Sequence, residues 1–208
     1  MGRCETWKSL LRGTLVLLSI PTATLAGQGQ TWHVTATASQ TWFSGGLDDT
    51  TASEGTWGLT PKLTWGLAAD RELGKVRVGL GLSYISSHIQ VSDEQVTLIE
   101  GTLDLREVGV AAFVTVPLVR LASEGASIDL LAGPVLGIWS LTDADTRMRI
   151  GGAATLQVTA PLTPTWLLLA TLGGSVSGSP FDTSDLPDFF EATTLWATTA
   201  GLGVRHAF

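Results

Sequence analysis

From residue 32 onward the chain alternates. Between 32 and 42 the even positions are Trp32, Val34, Ala36, Ala38, Gln40 and Trp42, and the odd ones are His33, Thr35, Thr37, Ser39 and Thr41. One face is mostly apolar and the other wholly polar, the period-two signature of a strand. A second strand carries Trp57, Leu59, Pro61, Leu63, Trp65 and Leu67 on its apolar face, and a third Val76, Val78, Leu80, Leu82 and Tyr84. A fourth carries Val108, Val110, Ala112, Val114 and Val116. In the sixth, Met148, Ile150, Ala154, Leu156, Val158 and Ala160 oppose Arg147, Arg149, Thr155, Gln157 and Thr159. The seventh uses Trp166, Leu168, Ala170, Leu172 and Val176, and the eighth Trp196, Ala200, Leu202, Val204 and Phe208. The fifth, residues 127–140, is ambiguous, because Leu130 and Leu131 are both apolar and Pro134 interrupts the ladder.

The pattern therefore predicts an all-β chain of eight antiparallel, up-and-down strands. Residues 69–74, 120–126 and 161–164 read as short turns, with Asp70, Gly125 and Pro161 as turn residues. Residues 43–55, 87–101 and 177–190 read as long polar connections, and 141–146 as a shorter one. The alternation of short and long is that of a closed barrel crossing a membrane.

Composition sharpens this. Charged residues are only 15% of the 208, against roughly 25% in soluble domains, and mean hydropathy is positive. Yet after Ala26 no apolar run approaches the 18 residues of a membrane helix. The N-terminus has basic Arg3, Lys8 and Arg12, a short apolar "GTLVLLSI", and "PTATLA" ending in small residues. Those features predict a secretory signal peptide over 1–26, cut after Ala26, and one domain over 27–208. Cys4 falls in the leader, so a disulfide framework is excluded. Inside lipid only helices and closed barrels satisfy the backbone, which leaves a closed transmembrane barrel.

The tryptophans then acquire a reason. Trp32 to Trp42 is ten steps of about 3.3 Å, and a tilt of roughly 40° reduces that to about 25 Å of height. That is the height of the apolar band, whose edges carry aromatic girdles. Trp32, Trp65, Trp166 and Phe208 are assigned to one girdle, and Trp42, Trp57, Tyr84 and Trp196 to the other.

With these residues in hand, the chain resembles the bacterial outer-membrane β-barrel proteins. The cue is the ending "AGLGVRHAF", with Ala200, Leu202, Val204 and Phe208 at alternate positions. In that family a terminal amphipathic strand ending in Phe is read by the barrel-assembly machinery. His206 departs from the pattern, standing where the family carries an aromatic or large apolar residue. "REVGVAAFVTVPL" followed by "DLLAGPVLGIW" also looks like the central hairpin of small barrel domains. The resemblance implies residence in the outer membrane, contact with its lipid, and short turns on the periplasmic side.

An eight-stranded barrel has an interior that side chains just fill. Parity turns Lys62, Arg77, Glu107, Asp129, Arg149, Glu191 and Arg205 inward, with His33 and Gln157. Opposite charges in a narrow lumen must pair, because an unpaired buried charge is costly. A plugged lumen is the expectation, and a proton or ion path the alternative. The outside connections carry Asp48, Asp49, Glu54, Asp93, Glu94, Glu100, Asp143, Asp145, Asp182, Asp185 and Asp188 without Lys or Arg, a solvated acidic fringe. A net charge of −7 argues against nucleic acid. No phosphate-cradling glycine loop and no His or Cys metal cluster is present, so no cofactor is implied.

Function is read as a non-enzymatic barrel with a structural or surface-interaction role. Two other readings compete. A lipid A deacylase would need a Ser–His–acid set, for which Ser86, Ser87, His88 and Glu94 are the local candidates, in the reverse of that family's His-before-Ser order. A soluble, lipocalin-like periplasmic barrel would need the apolar parity to face inward.

Overall fold

The structure is a computed structural model that describes residues 31–49, 55–93, 97–120, 126–141, 146–182 and 190–208. The expected leader lies outside the described residues. The strands are β1 (Trp32–Asp49), β2 (Gly55–Leu59), β3 (Lys62–Leu73), β4 (Val76–Asp93), β5 (Thr97–Arg120), β6 (Ser127–Leu141), β7 (Arg147–Pro161), β8 (Trp166–Ser177) and β9 (Phe190–Ala207). All pair antiparallel with their neighbours, and β9 pairs with β1 to close the ring. β2 and β3 both pair with β4, as two parts of one strand separated at Thr60–Pro61, so the nine segments make eight staves. Pro61 has no N–H to give the ladder, and the strand is interrupted there. The β1–β3 pairing starts just below, at Thr41–Lys62.

The apolar parity faces outward. Ile150 is 79% exposed, and Leu63, Leu80, Leu82, Leu172 and Leu202 are exposed with it. Such a continuous apolar outer wall suits lipid, not water. The lipocalin-like reading, which needs these residues inside, is overturned.

Several boundaries differ from the sequence expectation: β1 runs to Asp49, into the stretch read as a long connection, and β9 already begins at Phe190. Strand β3 continues to Leu73 and turns at Gly74, whose φ is 66°. The turn needs a left-handed residue, and glycine supplies it at no steric cost. Asp70 is therefore a strand residue, not a turn residue. Next, β6 runs straight through Pro134: its ladder to β7 is unbroken, while that to β5 skips from Val135 to Ala132. The proline thus costs pairing on one side only. Finally, much of 87–101 is strand, since β4 and β5 keep pairing up to Ser92–Thr97 across a register shift at His88–Ile89.

One girdle assignment changes with the turn. Trp65 pairs directly with Tyr84 and lies eight residues from Leu73, about 20 Å above the periplasmic turn at strand rise and tilt. It belongs at the outer level with Tyr84, Trp42 and Trp196. Trp32, Trp166 and Phe208 are exposed at the opposite end, and the Trp57 side chain lies outside the described residues. His206 stacks edge-on between Trp166 and Phe208, with ring centroids 4.6 and 4.4 Å away. An imidazole thus fills the aromatic place at this girdle.

Candidate functional site: the lumen

The inward positions fall into three layers. Long polar side chains occupy the periplasmic end, small residues the middle, and large apolar ones the outer end. At the periplasmic end β3, β4, β6 and β9 contribute Asp70, Arg77, Asp129 and Arg205, while β1 and β7 add His33, Thr35 and Gln157. Arg77 Nη2 donates to Asp129 Oδ2 at 2.8 Å. Its Nε also lies 3.2 Å from Asp70 Oδ1, as does His33 Nδ1, both as ion contacts without hydrogen-bond alignment. Arg205 donates to Gln157 Oε1 at 2.8 Å and to Thr35 Oγ1 at 3.1 Å. Asp70 and Asp129 are each 1% exposed, so these charges are out of water and held by one another. Two carboxylates thus face two guanidiniums in this layer.

At the outer end Leu59, Leu105, Trp139, Phe181 and Leu195 form a buried cluster, with Phe43 packed against it. Four of these come from β2, β5, β6 and β9 on different sides of the ring, and Phe181 from the segment after β8. That segment, residues 178–182, crosses the mouth as a strap. Ser179 Oγ donates to the Gly46 carbonyl at 2.6 Å, and Arg147 to the Pro180 carbonyl at 3.3 Å. Arg149 donates to the Ser179 and Phe181 carbonyls and pairs with Asp182, which also meets Arg147 Nε at 3.1 Å.

Between the two ends lies a cavity of about 300 Å³. Thr, Ser, Gly and Ala supply most of its lining, with Phe43, Ile85, Phe113, Leu131 and Val135 among the larger apolar walls and Asp70 and Arg205 at its periplasmic end. Glu107 faces this space from β5 and makes no hydrogen bond or ion pair with any described residue.

The seven lumen residues expected from sequence thus divide. Arg77, Asp129 and Arg205 gather at the periplasmic end. Arg149 anchors the strap at the outer mouth, far from that set in the register of β7. Glu107 stands alone beneath the lid. Lys62 is partly buried beside Thr41 and makes no ion pair among the described residues. Glu191 is exposed at the outer tip of β9, paired in the backbone with Asp48, and does not join the lumen charges. The register shift in β1 between Gly45 and Leu47 marks where the regular wall ends, and Glu191 lies beyond it.

Three residues were missed. Asp70 was hidden by the misplaced turn, although positions 62, 64, 66, 68 and 70 keep one parity. Trp139 shares parity with Asp129 and is 1% exposed inside the lid, not at a girdle. Phe181 sat in a stretch read as polar loop. Of the hydrolase candidates, Ser87 is fully buried and donates to the Thr60 carbonyl at 2.7 Å. Glu94 lies outside the described residues.

No family model matches the chain, and no curated protein sequence matches it. Solved structures do share the fold. Neisserial surface protein A aligns at TM-score 0.57 and 13% identity, over 87% of this chain and 100% of that one. A major outer membrane protein from Thermus thermophilus aligns at 0.54 and 15%, over 87% and 100%. The outer membrane protein OprG from Pseudomonas aeruginosa aligns at 0.52 and 11%, over 86% and 96%. The chain has the fold of small outer-membrane barrels.

Proposed function

We propose that the chain is a non-enzymatic outer-membrane barrel, exported by a cleaved signal peptide, with a structural or surface-interaction role and a lumen closed to ions. The observation that carries the reading is closure at both ends: the Asp70–Arg77–Asp129 contacts below and the Phe181 lid above. A conducting pore would need neither. The apolar wall with aromatic ends supports a place in lipid, and the terminal Phe208 suits recognition by the barrel-assembly machinery. What remains for function is the surface, where β1, β4, β5 and β9 rise past the outer girdle. The test is conductance of purified protein in a planar bilayer. The expected record is flat; reproducible, ion-selective steps would replace the closed lumen with a pore.

A further inference from the structure

Glu107 is the lumen carboxylate that the charge arrangement of the described residues leaves over. Asp70 and Asp129 face Arg77 and its neighbours at the periplasmic end. Glu107 lies on β5 between Ile85 of β4 and Trp139 of β6. Gly137 gives it room: a Cβ there would stand 2.5 Å from Glu107 Oε1 and 3.0 Å from Trp139 Nε1. Two polar atoms therefore converge on one small volume. Trp139, although 1% exposed, has no hydrogen-bond partner for its N–H among the described residues. Beside them are the cavity and the ring of Phe43, which meets Trp139 edge-on at 6.5 Å.

We propose that this cavity is a blind-ended binding site for a small organic ammonium ion bearing an apolar group. The cationic head would sit against the Glu107 carboxylate and the Phe43 ring, since an aromatic face attracts a cation as a carboxylate does. The apolar part would lie along Ile85, Phe113 and Val135, where water gains little. Threonine and serine hydroxyls around the ring supply further acceptors. A bare inorganic ion would leave the apolar walls unused, and a neutral molecule would leave the carboxylate unmatched. Entry is from outside, past Phe181, because the periplasmic end is filled. The strap that carries Phe181 is tied by ion pairs to Asp182, whose side chain is 51% exposed. Solvent competes for such pairs, and entry also requires the Ser179–Gly46, Arg147–Pro180 and Arg149 hydrogen bonds of the strap to open.

The site does not depend on the surface role proposed above, and the two fail separately: conductance tests closure, ligand binding tests the cavity. The experiment is calorimetric titration of full-length mature barrel in lipid nanodiscs with benzyltrimethylammonium, benzyl alcohol and potassium chloride. Saturable binding of the ammonium ion is expected, with Glu107→Gln weakening it about tenfold or more, a loss of roughly 1.4 kcal/mol or above. Glu107→Asp, which keeps the charge, should fall between, and it keeps the test alive if the Gln variant does not fold. Heat-dependent gel migration checks folding of each variant. Equal affinity for benzyl alcohol would show an apolar pocket only and overturn the proposal. So would displacement by potassium at matching affinity, undiminished binding to Glu107→Gln, or no saturable binding to wild type.

Discussion

Asp129→Ala tests whether the periplasmic charge layer holds the barrel together. Asp129 is 1% exposed and accepts an aligned hydrogen bond from Arg77 at 2.8 Å. Arg77 itself is only 16% exposed at the side chain, so its guanidinium recovers only part of that bond from water. Breaking a buried pair by removing one partner costs about 3–5 kcal/mol, because the surviving charge stays in a poor solvent. Here Arg77 keeps Asp70 at 3.2 Å, but without alignment, and Asp70 is already shared with His33. The loss should therefore fall near the lower end of that range, about 3 kcal/mol. Urea unfolding of refolded barrel in detergent micelles, followed by tryptophan fluorescence, gives the number. Replacing both partners, Arg77→Met with Asp129→Ala, should recover part of it, since a buried ion pair is often replaceable by apolar packing. A loss of about 1 kcal/mol or less, the value of an exposed pair, would refute the reasoning. Strict additivity of the two substitutions would refute it as well.

Other expectations follow from the ends of the chain and of the barrel. Phe181→Ala removes a ring buried across the outer mouth; the loss should be about 3 kcal/mol, the low end for such a truncation because the strap can settle, read by the same urea titration. Phe208→Ala should lower the yield of folded barrel in cells much more than Ala207→Gly, because Phe208 joins the Trp166–His206 stack; equal yields by heat-dependent gel migration would contradict this. The mature chain should begin at Gly27, and an intact mass that includes Cys4 would show that the leader is kept.

The barrel itself was legible because lipid and lumen impose one rule on every strand, and period-two alternation survives misplaced strand ends of a few residues. What alternation does not encode is height. Placing the first tight turn at 69–74 instead of at Gly74 moved Trp65 to the wrong girdle and took Asp70 out of the lumen. Gly74 was the available signal, since a hairpin turn with positive φ favours glycine. The partner of each charge was also out of reach. Arg77 on β4 and Asp129 on β6 meet across the lumen with β5 between them, so their contact depends on two successive registers. Neither register can be read from a single strand. Pro134 and the Leu130–Leu131 pair obscured the parity of β6, and with it the inward direction of Trp139.

The size of the inward side chains varies with height along the ring. An eight-stranded barrel is filled when inward residues are of ordinary size. Here the inward positions at mid-height include Gly66, Gly81, Gly109, Ala111, Gly173 and Gly201, with Val135 as a larger neighbour opposite Ala111. Neighbouring side chains leave different amounts of room at these positions. A Cβ on Gly81 would lie 3.6 Å from the Phe113 ring, an ordinary contact, so a methyl group would fit there. At Gly137, by contrast, the space is already taken by Glu107 and Trp139. The glycines of the wall therefore do two different things, one keeping a void and the other admitting a polar pair. Filling the void would have cost nothing in backbone geometry at Gly81, whose φ is not in the left-handed region. At Gly66, Gly109, Gly173 and Gly201 a Cβ would fall within 2.5 Å of a threonine or serine hydroxyl, so there glycine makes room for the hydroxyls of the lining. Polar contacts at one end, an apolar cluster at the other and a cavity between them divide the lumen by height, and Glu107 is the carboxyl that the cavity's described walls leave without a hydrogen-bond partner.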